Sequence, residues 1–181
     1  MTAYILLGRG FEEIEAVAPG DILRRGGVET KYVGVGGSEI SGSRGIKIIA
    51  DVEIKDVYPI NGDIVIIPGG MGGVESLEAS EDASALLRNA AAAGVSLAAI
   101  CAGPRVLARL GLLDGKTITC YPGMGSEMSG AAKVTDEKTE LDGNLMTGQA
   151  AGSAIDFGLA VLKYLKGADE AENVRKSIYY G

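Results

Sequence analysis

The sequence predicts an α/β fold in which helices cover both faces of a parallel or mostly parallel central sheet. Apolar, strand-like runs alternate with segments of helical periodicity along the whole chain. Residues 64–67 are continuously apolar, as is typical of a parallel strand buried on both faces. The 28 glycines fit the many turns of such a fold. No linker or repeat interrupts the pattern, so residues 1–181 are predicted to form a single domain.

The first half of the chain predicts a strand, a helix, a strand and a hairpin. Residues 4–7 are a short apolar strand. A helix follows Glu12, with apolar residues at helical spacing: Ile14, Val17, Ala18 and Ile22. Residues 28–35 are rich in β-formers, and residues 46–49 lie in a predicted hairpin between glycine- and serine-rich loops.

The central segment predicts two buried strands separated by a loop and a helix. Residues 63–67 form the first strand, and residues 68–73 form a glycine-rich loop after it. Ser80 is the expected N-cap of the helix, and Gly94 is expected to follow its C-terminus. Residues 95–100 form the second strand. Ligands are expected where these strands end, at the carboxyl edge of the sheet.

The last third predicts short strands and two helices. Strands are expected at residues 116–120 and 145–147, on either side of a polar segment. A helix should follow Ser153, with Asp156 completing a start that resembles a capping box. Residues 169–177 form the final predicted helix.

Composition excludes several classes of function. A net charge of −7 without any basic run argues against a nucleic-acid partner. No apolar run approaches the roughly 20 residues of a membrane span and no signal segment leads the chain, so a cytoplasmic location is expected. The two cysteines, Cys101 and Cys120, are too few for a disulfide framework. The chain contains no histidine, which removes every mechanism that needs imidazole.

Cys101 lies where a strand meets a helix N-terminus, a position that stabilises a thiolate. Ala102 and Gly103 leave room beside the sulfur, and Pro104 suits a first helical turn, so the segment is similar to a nucleophile elbow. The alternative is a buried cysteine that acts as a small hydrophobe. Gly69 and Gly70 follow the neighbouring strand and begin a loop. This loop either supplies an N–H group that binds an oxyanion together with the N–H of Ala102, or is simply a tight turn.

Three carboxylates, those of Glu12, Glu13 and Glu15, lie at the start of the first predicted helix. Gly8 and Gly10 suggest a dinucleotide loop, but the third glycine is missing and acidic residues stand where phosphate would bind. Glu12 and Glu13 are interpreted as complements of the helix dipole. Glu15 borders the apolar stripe of the helix instead, and we expect it to point toward the sheet edge.

Four segments together identify a family resemblance: "GFEEIEAVAPGDILRRGG", "DIVIIPGGMGG", "AAICAGPRVLARLGLLDGKTIT" and "TGQAAGSAIDFGLAVLKYL". They resemble the ThiJ/PfpI superfamily, in the branch of the Parkinsonism-associated deglycase, from the first strand to the last helix. The resemblance implies a flavodoxin-like three-layer sandwich and a homodimer. It also implies that Cys101 is the reactive cysteine and that Glu15 is a protonated carboxyl hydrogen-bonded to it.

The same resemblance assigns the remaining pocket residues. It matches Gly70 and Ala102 to backbone donors near the sulfur, with Gly69 beside them, and it matches Arg44 and Gln149 to the pocket rim. Gln149 stands where the family commonly has arginine. Tyr121 stands where the family often has histidine, and a phenol can orient a substrate but is a poor base.

The predicted function is a glyoxalase III or deglycase, which needs no cofactor or metal and acts on methylglyoxal, glyoxal or their adducts with thiols and amines. Cys101 would attack the aldehyde and Glu15 would pass protons. The alternative is a redox sensor or redox-regulated chaperone that works through oxidation of Cys101. A PfpI-type peptidase or amidase is disfavoured because such enzymes pair the cysteine with histidine.

Overall fold

The computed structural model describes all 181 residues and contains eleven strands and six helices. The strands are β1 (Thr2–Leu7), β2 (Glu29–Gly34), β3 (Glu39–Ser41), β4 (Lys47–Ile49), β5 (Val52–Glu53), β6 (Ile64–Ile67), β7 (Ser96–Ile100), β8 (Thr117–Thr119), β9 (Lys133–Thr135), β10 (Thr139–Asp142) and β11 (Leu145–Gly148). The helices are α1 (Glu13–Arg25), α2 (Met71–Glu78), α3 (Glu81–Ala92), α4 (Pro104–Arg109), α5 (Ala154–Lys166) and α6 (Ala168–Ser177).

Seven strands form one sheet in the order β10-β11-β7-β6-β1-β2-β5. Every neighbouring pair is parallel except β10 with β11, which are joined as an antiparallel hairpin. Strand β6 lies at the centre of this sheet, and all four of its residues are buried. The parallel α/β architecture predicted from the alternating pattern is therefore confirmed.

Two separate apolar layers cover the sheet. Helices α2, α3 and α4 pack on one face through residues such as Val74, Leu87 and Leu107. Helices α1, α5 and α6 pack on the other through residues such as Ile22 and Phe157. The three layers explain the continuous apolar strands, because successive side chains of β6 point into opposite cores. None of the helices combines the length and the apolar character needed to cross a bilayer.

The apolar stripe predicted for α1 is wrong in part. Ile14 and Val17 are 54% and 43% exposed, whereas Ala16, Pro19 and Glu15 are buried. Close contact with α5 selects this buried face: a Cβ added at Gly158 would lie 2.9 Å from the Cα of Pro19. Small residues let the two helices approach closely, and the larger side chains of α1 face outward.

Three further expectations differ from the structure. Helix α2 begins at Met71, so only the first part of the glycine-rich segment at residues 68–73 is a loop. Strand β8 leaves the main sheet and pairs with β9, which was not predicted.

Ser153 does not cap α5, because its hydroxyl exchanges hydrogen bonds with the backbone of Ala150. Asp156 instead accepts hydrogen bonds from Lys138 and Tyr180. By contrast, Ser80 caps α3 as predicted, accepting the N–H of Ala83 at 3.1 Å.

A nearly buried ion pair joins α2 to α4. Arg105 donates from Nε and Nη2 to both carboxylate oxygens of Glu78, at 2.9 and 3.0 Å. The side chains of Arg105 and Glu78 are only 9% and 8% exposed. A third bond of 3.2 Å runs from Arg105 to Glu127. Arg109 reaches the same Glu78 carboxylate from the surface, where it is 60% exposed.

We expect Arg105→Met to lower the free energy of unfolding by about 3 kcal/mol, because it leaves the carboxylate of Glu78 in an apolar setting with one exposed partner. Arg109→Met is the matched control and should cost less than about 1 kcal/mol, since an exposed ion pair contributes little. Urea unfolding of both variants and the wild type measures the difference. Equal losses in the two variants would contradict the assignment of Arg105 as the main partner.

Candidate active site

The carboxyl ends of four neighbouring strands meet around one cavity of about 690 Å³. The segments after β1, β6, β7 and β11 contribute Glu12, Gly70, Cys101 and Ala150 to its lining. Parallel strands that lie side by side end at the same edge of the sheet, so residues distant in sequence converge there. This is the edge at which a ligand site was predicted.

Cys101 occupies a strained turn between β7 and α4. Its φ of +63° lies in the left-handed region, which is uncommon for a residue with a side chain. Its N–H donates to the carbonyl of Gly148 at 2.9 Å, and its carbonyl accepts the N–H of Tyr121 at 2.9 Å. These bonds to neighbouring segments hold the turn. The structure therefore contains the predicted elbow, with the Cys101 side chain lining the cavity.

Glu15 projects from the first turn of α1 and is fully buried. The N–H of Gly69 donates to its Oε2 at 2.7 Å, whereas its Oε1 is buried without any hydrogen-bond partner of conventional geometry. The Cys101 side chain lies close to the same carboxyl, because a Cβ added at Gly69 would lie 2.6 Å from Oε2 of Glu15 and 2.8 Å from the Cβ of Cys101. An ionised carboxylate with an unpaired buried oxygen is unfavourable. A neutral carboxyl with its proton on Oε1 lowers this cost, because the unpaired oxygen then carries no negative charge.

Burial raises the pKa of both groups. Loss of solvation raises the pKa of Glu15 to about 7, although contacts with Cys101 and the Gly69 N–H oppose this rise. Burial, followed by the negative charge of Glu15 and a hydrogen bond to it, raises the pKa of the Cys101 thiol to about 12. The sequence-based prediction of a thiol pKa lowered by the helix N-terminus is wrong in direction. The N–H groups of Ala102 and Gly70 do lower it, but burial is the larger effect.

At pH values between these two pKa values, Glu15 and Cys101 together hold one proton. The contribution of Glu15 to the raised thiol pKa comes from its ionised form. When Glu15 carries the proton, that repulsion is absent, and the N–H groups of Gly70 and Ala102 face the sulfur. Cys101 is thus a thiolate when Glu15 holds the single proton of the pair. Transfer of the proton to sulfur gives the unreactive alternative, which the pKa values of about 7 for Glu15 and about 12 for Cys101 favour.

Glu13 has a role that its interpretation as a dipole complement missed. Its buried carboxylate accepts the N–H groups of Arg44 and Ile46 at 2.7 and 3.3 Å, and the hydroxyl of Ser43 at 3.1 Å. Burial alone would raise the pKa of Glu13, but these hydrogen bonds bring it below its usual value. Glu13 thereby fastens the β3–β4 turn, which forms one wall of the cavity. Glu12 adds a bond of 2.8 Å to the Ser43 hydroxyl.

The other predicted site residues divide into two groups. Gly70, Ala102, Arg44 and Tyr121 all line the cavity. Gly69 lies behind it, where an added Cβ would lie 2.6 Å from Oε2 of Glu15. Gln149 is not among the lining residues, because its side chain turns away and donates to the carbonyl of Asp136 at 2.9 Å. Its predicted place at the rim is wrong.

Several lining residues were not identified from the sequence. Met71 and Met124 are the two large apolar side chains of the cavity wall, and residues 150–152 complete it. Their neighbours offered a signal: Met71 directly follows Gly70, and Met124 lies three residues after Tyr121. The cavity contains carboxylates and one thiol, but no group of three or more metal-ligating side chains is placed to hold an ion.

The DJ-1/PfpI family matches residues 1–164 of the chain. The chain belongs to this family. Protein dj-1beta of Drosophila melanogaster is 35% identical over 179 residues, which cover 98% of this chain and 96% of that protein. A crystal structure of Drosophila DJ-1beta has a TM-score of 0.92 at 32% identity and covers 99% of this chain and 98% of its own. The family resemblance inferred from the four sequence segments is thus confirmed.

Two further relatives bear on chemistry. The "Glutathione-independent glyoxalase DJR-1.2" of Caenorhabditis elegans is 32% identical over 168 residues, covering 92% of this chain and 89% of that protein. A structure described as "Toxoplasma gondii DJ-1, oxidized" has a TM-score of 0.89 at 30% identity, covering 99% of this chain and 98% of its own. The DJ-1/PfpI family therefore includes a member named as a glyoxalase and a member solved in an oxidised form.

We expect the rate at which iodoacetamide alkylates Cys101 to rise through about pH 7 and then level off. Below this pH both Glu15 and the thiol hold protons. Above it the pair carries one negative charge, mostly on Glu15 and in a constant smaller fraction on sulfur, so the rate levels off. Mass spectrometry of the two cysteine peptides over a pH series measures the rates. Cys120 is the internal control: it is buried, and burial together with Glu127 and Asp136 raises its pKa, so it should react slowly throughout. A Cys101 midpoint at the ordinary thiol pKa of about 8.5 would contradict proton sharing with Glu15.

Proposed function

We propose that the protein is a cofactor-independent glyoxalase that converts 2-oxoaldehydes such as methylglyoxal into 2-hydroxy acids. The observation that carries this proposal is the placement of a half-buried cysteine, on a strained turn, beside a fully buried carboxyl in one cavity. Membership of a family that includes a protein named as a glyoxalase supports it. Adducts of dicarbonyls with thiols or amines are the extended substrate class in this proposal.

In the first step the Cys101 thiolate attacks the aldehyde carbon and forms a C–S bond. The aldehyde oxygen takes the electron pair of the carbonyl bond and then the proton of Glu15, which gives a neutral hemithioacetal and an ionised carboxylate. In the adduct the former aldehyde oxygen is separated from sulfur by two bonds. It therefore lies close to the N–H groups of Gly70 and Ala102 that stabilise the thiolate. These donors can therefore stabilise the charge as it moves from sulfur to oxygen.

In the second step the carboxylate of Glu15 removes the hydrogen from the former aldehyde carbon as a proton and delivers it to the neighbouring ketone oxygen, which gives an enediol. Glu15 then takes the proton of the hydroxyl on the first carbon and places it on the second carbon, so the first carbon is oxidised to a thioester and the second is reduced to an alcohol. Water attacks the thioester and Cys101 leaves as the thiolate. The sum is dicarbonyl plus water giving a hydroxy acid, without an external oxidant or reductant.

The absence of histidine favours this chemistry over peptide or amide hydrolysis. A cysteine hydrolase of the PfpI type needs a base that activates the thiol and then protonates a leaving amine, and the chain has no imidazole for this role. Tyr121 occupies the corresponding place but is 49% exposed, and its N–H rather than its ring holds the elbow. The proton transfers of the proposed reaction need only one carboxyl.

The direct test is lactate formation from methylglyoxal without added thiol. We expect the wild type to form lactate and Cys101→Ser to form none above the uncatalysed rate, because serine lacks an accessible anionic state at neutral pH. Cys120→Ser is the matched control and should retain activity, since Cys120 does not line the cavity. Equal lactate formation by Cys101→Ser and the wild type would overturn the proposed mechanism.

Glu15→Gln should lower kcat for methylglyoxal by roughly 10²–10⁴-fold, the usual contribution of a proton-transferring group. Glutamine keeps the size and can hydrogen-bond, but it cannot exchange a proton. Glu12→Gln is the control in the same helical turn: Glu12 lines the cavity and is not in the proton-sharing pair, so a far smaller loss is expected. Steady-state kinetics of the three proteins decide the point, and similar losses in both variants would remove Glu15 from its assigned role.

A redox-sensing function is the second candidate. Its support is the exposure of part of Cys101 to the cavity, the adjacent carboxyl of Glu15, and a relative solved in an oxidised form. Oxidation of the thiolate by peroxide adds oxygen to sulfur, and a neutral carboxyl can donate a hydrogen bond to the resulting sulfinate. Such a site would report oxidant levels whether or not the protein turns over dicarbonyls.

We expect peroxide to convert Cys101 mainly to the sulfinic acid, and we expect Glu15→Gln to change the ratio of sulfinic to sulfonic acid. The physical reason is that only the acid can donate a strong O–H bond to the sulfinate oxygen. Intact-mass and peptide mass spectrometry measure the products, with Glu12→Gln as the control. An identical product distribution in Glu15→Gln and the wild type would show that the carboxyl does not stabilise the oxidised state.

The homodimer implied by the family resemblance stays a prediction, as does the cytoplasmic location. Ile14 and Val17 on α1, together with Ile46 and Ile49 beside the β3–β4 turn, are exposed apolar side chains. The hydrogen bonds that the turn donates to Glu13 hold it against α1, so these four side chains lie on adjoining elements. A partner subunit that covered this surface would remove these side chains from water.

A further inference from the structure

The cavity at Cys101 is much larger than a three-carbon dicarbonyl requires. Its volume of about 690 Å³ lies within the range of roughly 300–1,000 Å³ that usually holds drug-sized ligands. Bonding of a small aldehyde to sulfur would fill only the part next to Cys101, Gly70 and Ala102. The remaining walls are therefore available to select among substituents on the dicarbonyl.

The remaining lining side chains are of two kinds. Glu12, Ser43 and Arg44 form a polar sector at the β3–β4 turn, where the Ser43 hydroxyl donates to Glu12. The apolar lining residues, here called the apolar sector, are Met71, Met124, Ala150 and Ala151. The two methionines have the larger side chains of this set.

The fold places the apolar sector beside the reacting sulfur. Ala150 and Ala151 follow β11, which is the direct neighbour of the strand that ends at Cys101. The bond from the Tyr121 N–H to the Cys101 carbonyl anchors the segment that carries Met124. Met124 packs partly against the core, which holds it in place, whereas Met71 is 45% exposed. One methionine is thus anchored and the other can adjust.

We propose that the preferred substrates are 2-oxoaldehydes that carry an extended alkyl group, and that this group lies against Met71 and Met124. The inference rests on the proposed glyoxalase function and names its substrate class. The reaction is unchanged: the alkyl dicarbonyl and water give the corresponding 2-hydroxy acid, with the alkyl group untouched. The unbranched, flexible methionine side chains can adapt to alkyl groups of different length.

The polar sector favours an uncharged substituent. Arg44 could attract an anionic group, but the carboxylate of Glu12 lies in the same sector and would repel it. An alkyl chain has no such conflict, and each CH₂ that leaves water for an apolar surface raises binding about fourfold when fully buried. Since the cavity is open at the Met71 side, we expect roughly two- to fourfold per CH₂.

The test compares kcat/KM for methylglyoxal, propylglyoxal and pentylglyoxal. The wild type should show a rise of roughly two- to fourfold per added CH₂. Met124→Gln replaces the thioether by a polar chain of similar length and should flatten this rise, whereas Met124→Leu keeps an apolar side chain and should preserve it. If Met124→Gln does not fold, Met71→Gln tests the same point at a half-exposed position.

The outcomes separate this inference from the proposed function. Methylglyoxal turnover that requires Cys101, with kcat/KM constant or falling along the series, would overturn the alkyl preference and leave the glyoxalase function intact. A rise that both glutamine variants retain would show that the chain does not lie against the methionines. Higher kcat/KM for a carboxylate-bearing 2-oxoaldehyde than for pentylglyoxal would assign selection to Arg44 instead. Absence of turnover with every dicarbonyl would overturn both proposals.

Discussion

The site depends on one close contact: Gly69 lets the carboxyl of Glu15 reach Cys101. Its N–H donates to Glu15, its carbonyl accepts the N–H of Glu12, and a Cβ on Gly69 would lie 2.8 Å from that of Cys101. Any side chain there would push the carboxyl and the thiol apart. The contact also excludes water from Glu15, and this exclusion raises its pKa. The close packing at Gly69 therefore affects both the position of the Glu15 carboxyl and its protonation.

Glu13 and Glu15 show that the helix dipole does not decide the charge of a carboxyl in the first turn of α1. Both are buried at the same helix N-terminus, yet the pKa of Glu13 is lowered and that of Glu15 is raised. Glu13 receives three hydrogen bonds from the β3–β4 turn, whereas one oxygen of Glu15 has none. The ionised Glu13 fixes a wall of the cavity, whereas Glu15, with a pKa of about 7, can take up or release a proton near neutral pH.

The order of the main elements and the edge that carries the site could be predicted from the sequence, because both follow from local periodicity. Contacts between distant segments could not. The pKa direction of Glu13 depends on a turn about thirty residues away, and that of Cys101 depends on burial by several elements. The sequence predicts a loop over the first turn of α2 because two glycines follow Met71 there, and glycine has low helix propensity. Those glycines serve packing: a Cβ at Gly73 would lie 2.7 Å from the Cα of Phe11.

In the proposed reaction, which has no histidine to draw on, one carboxyl must both give and take protons near the sulfur. A carboxyl at its ordinary pKa would be ionised at neutral pH and could not protonate the oxygen formed when the thiolate attacks. One with a pKa near 7 can exist in either form, so it can donate in the first step and abstract in the next. This arrangement suits a reaction that moves hydrogen between adjacent carbons and releases no amine. The raised pKa of Glu15 thus compensates for the missing imidazole in isomerisation chemistry, but it supplies no group that could protonate a departing amine far from the sulfur.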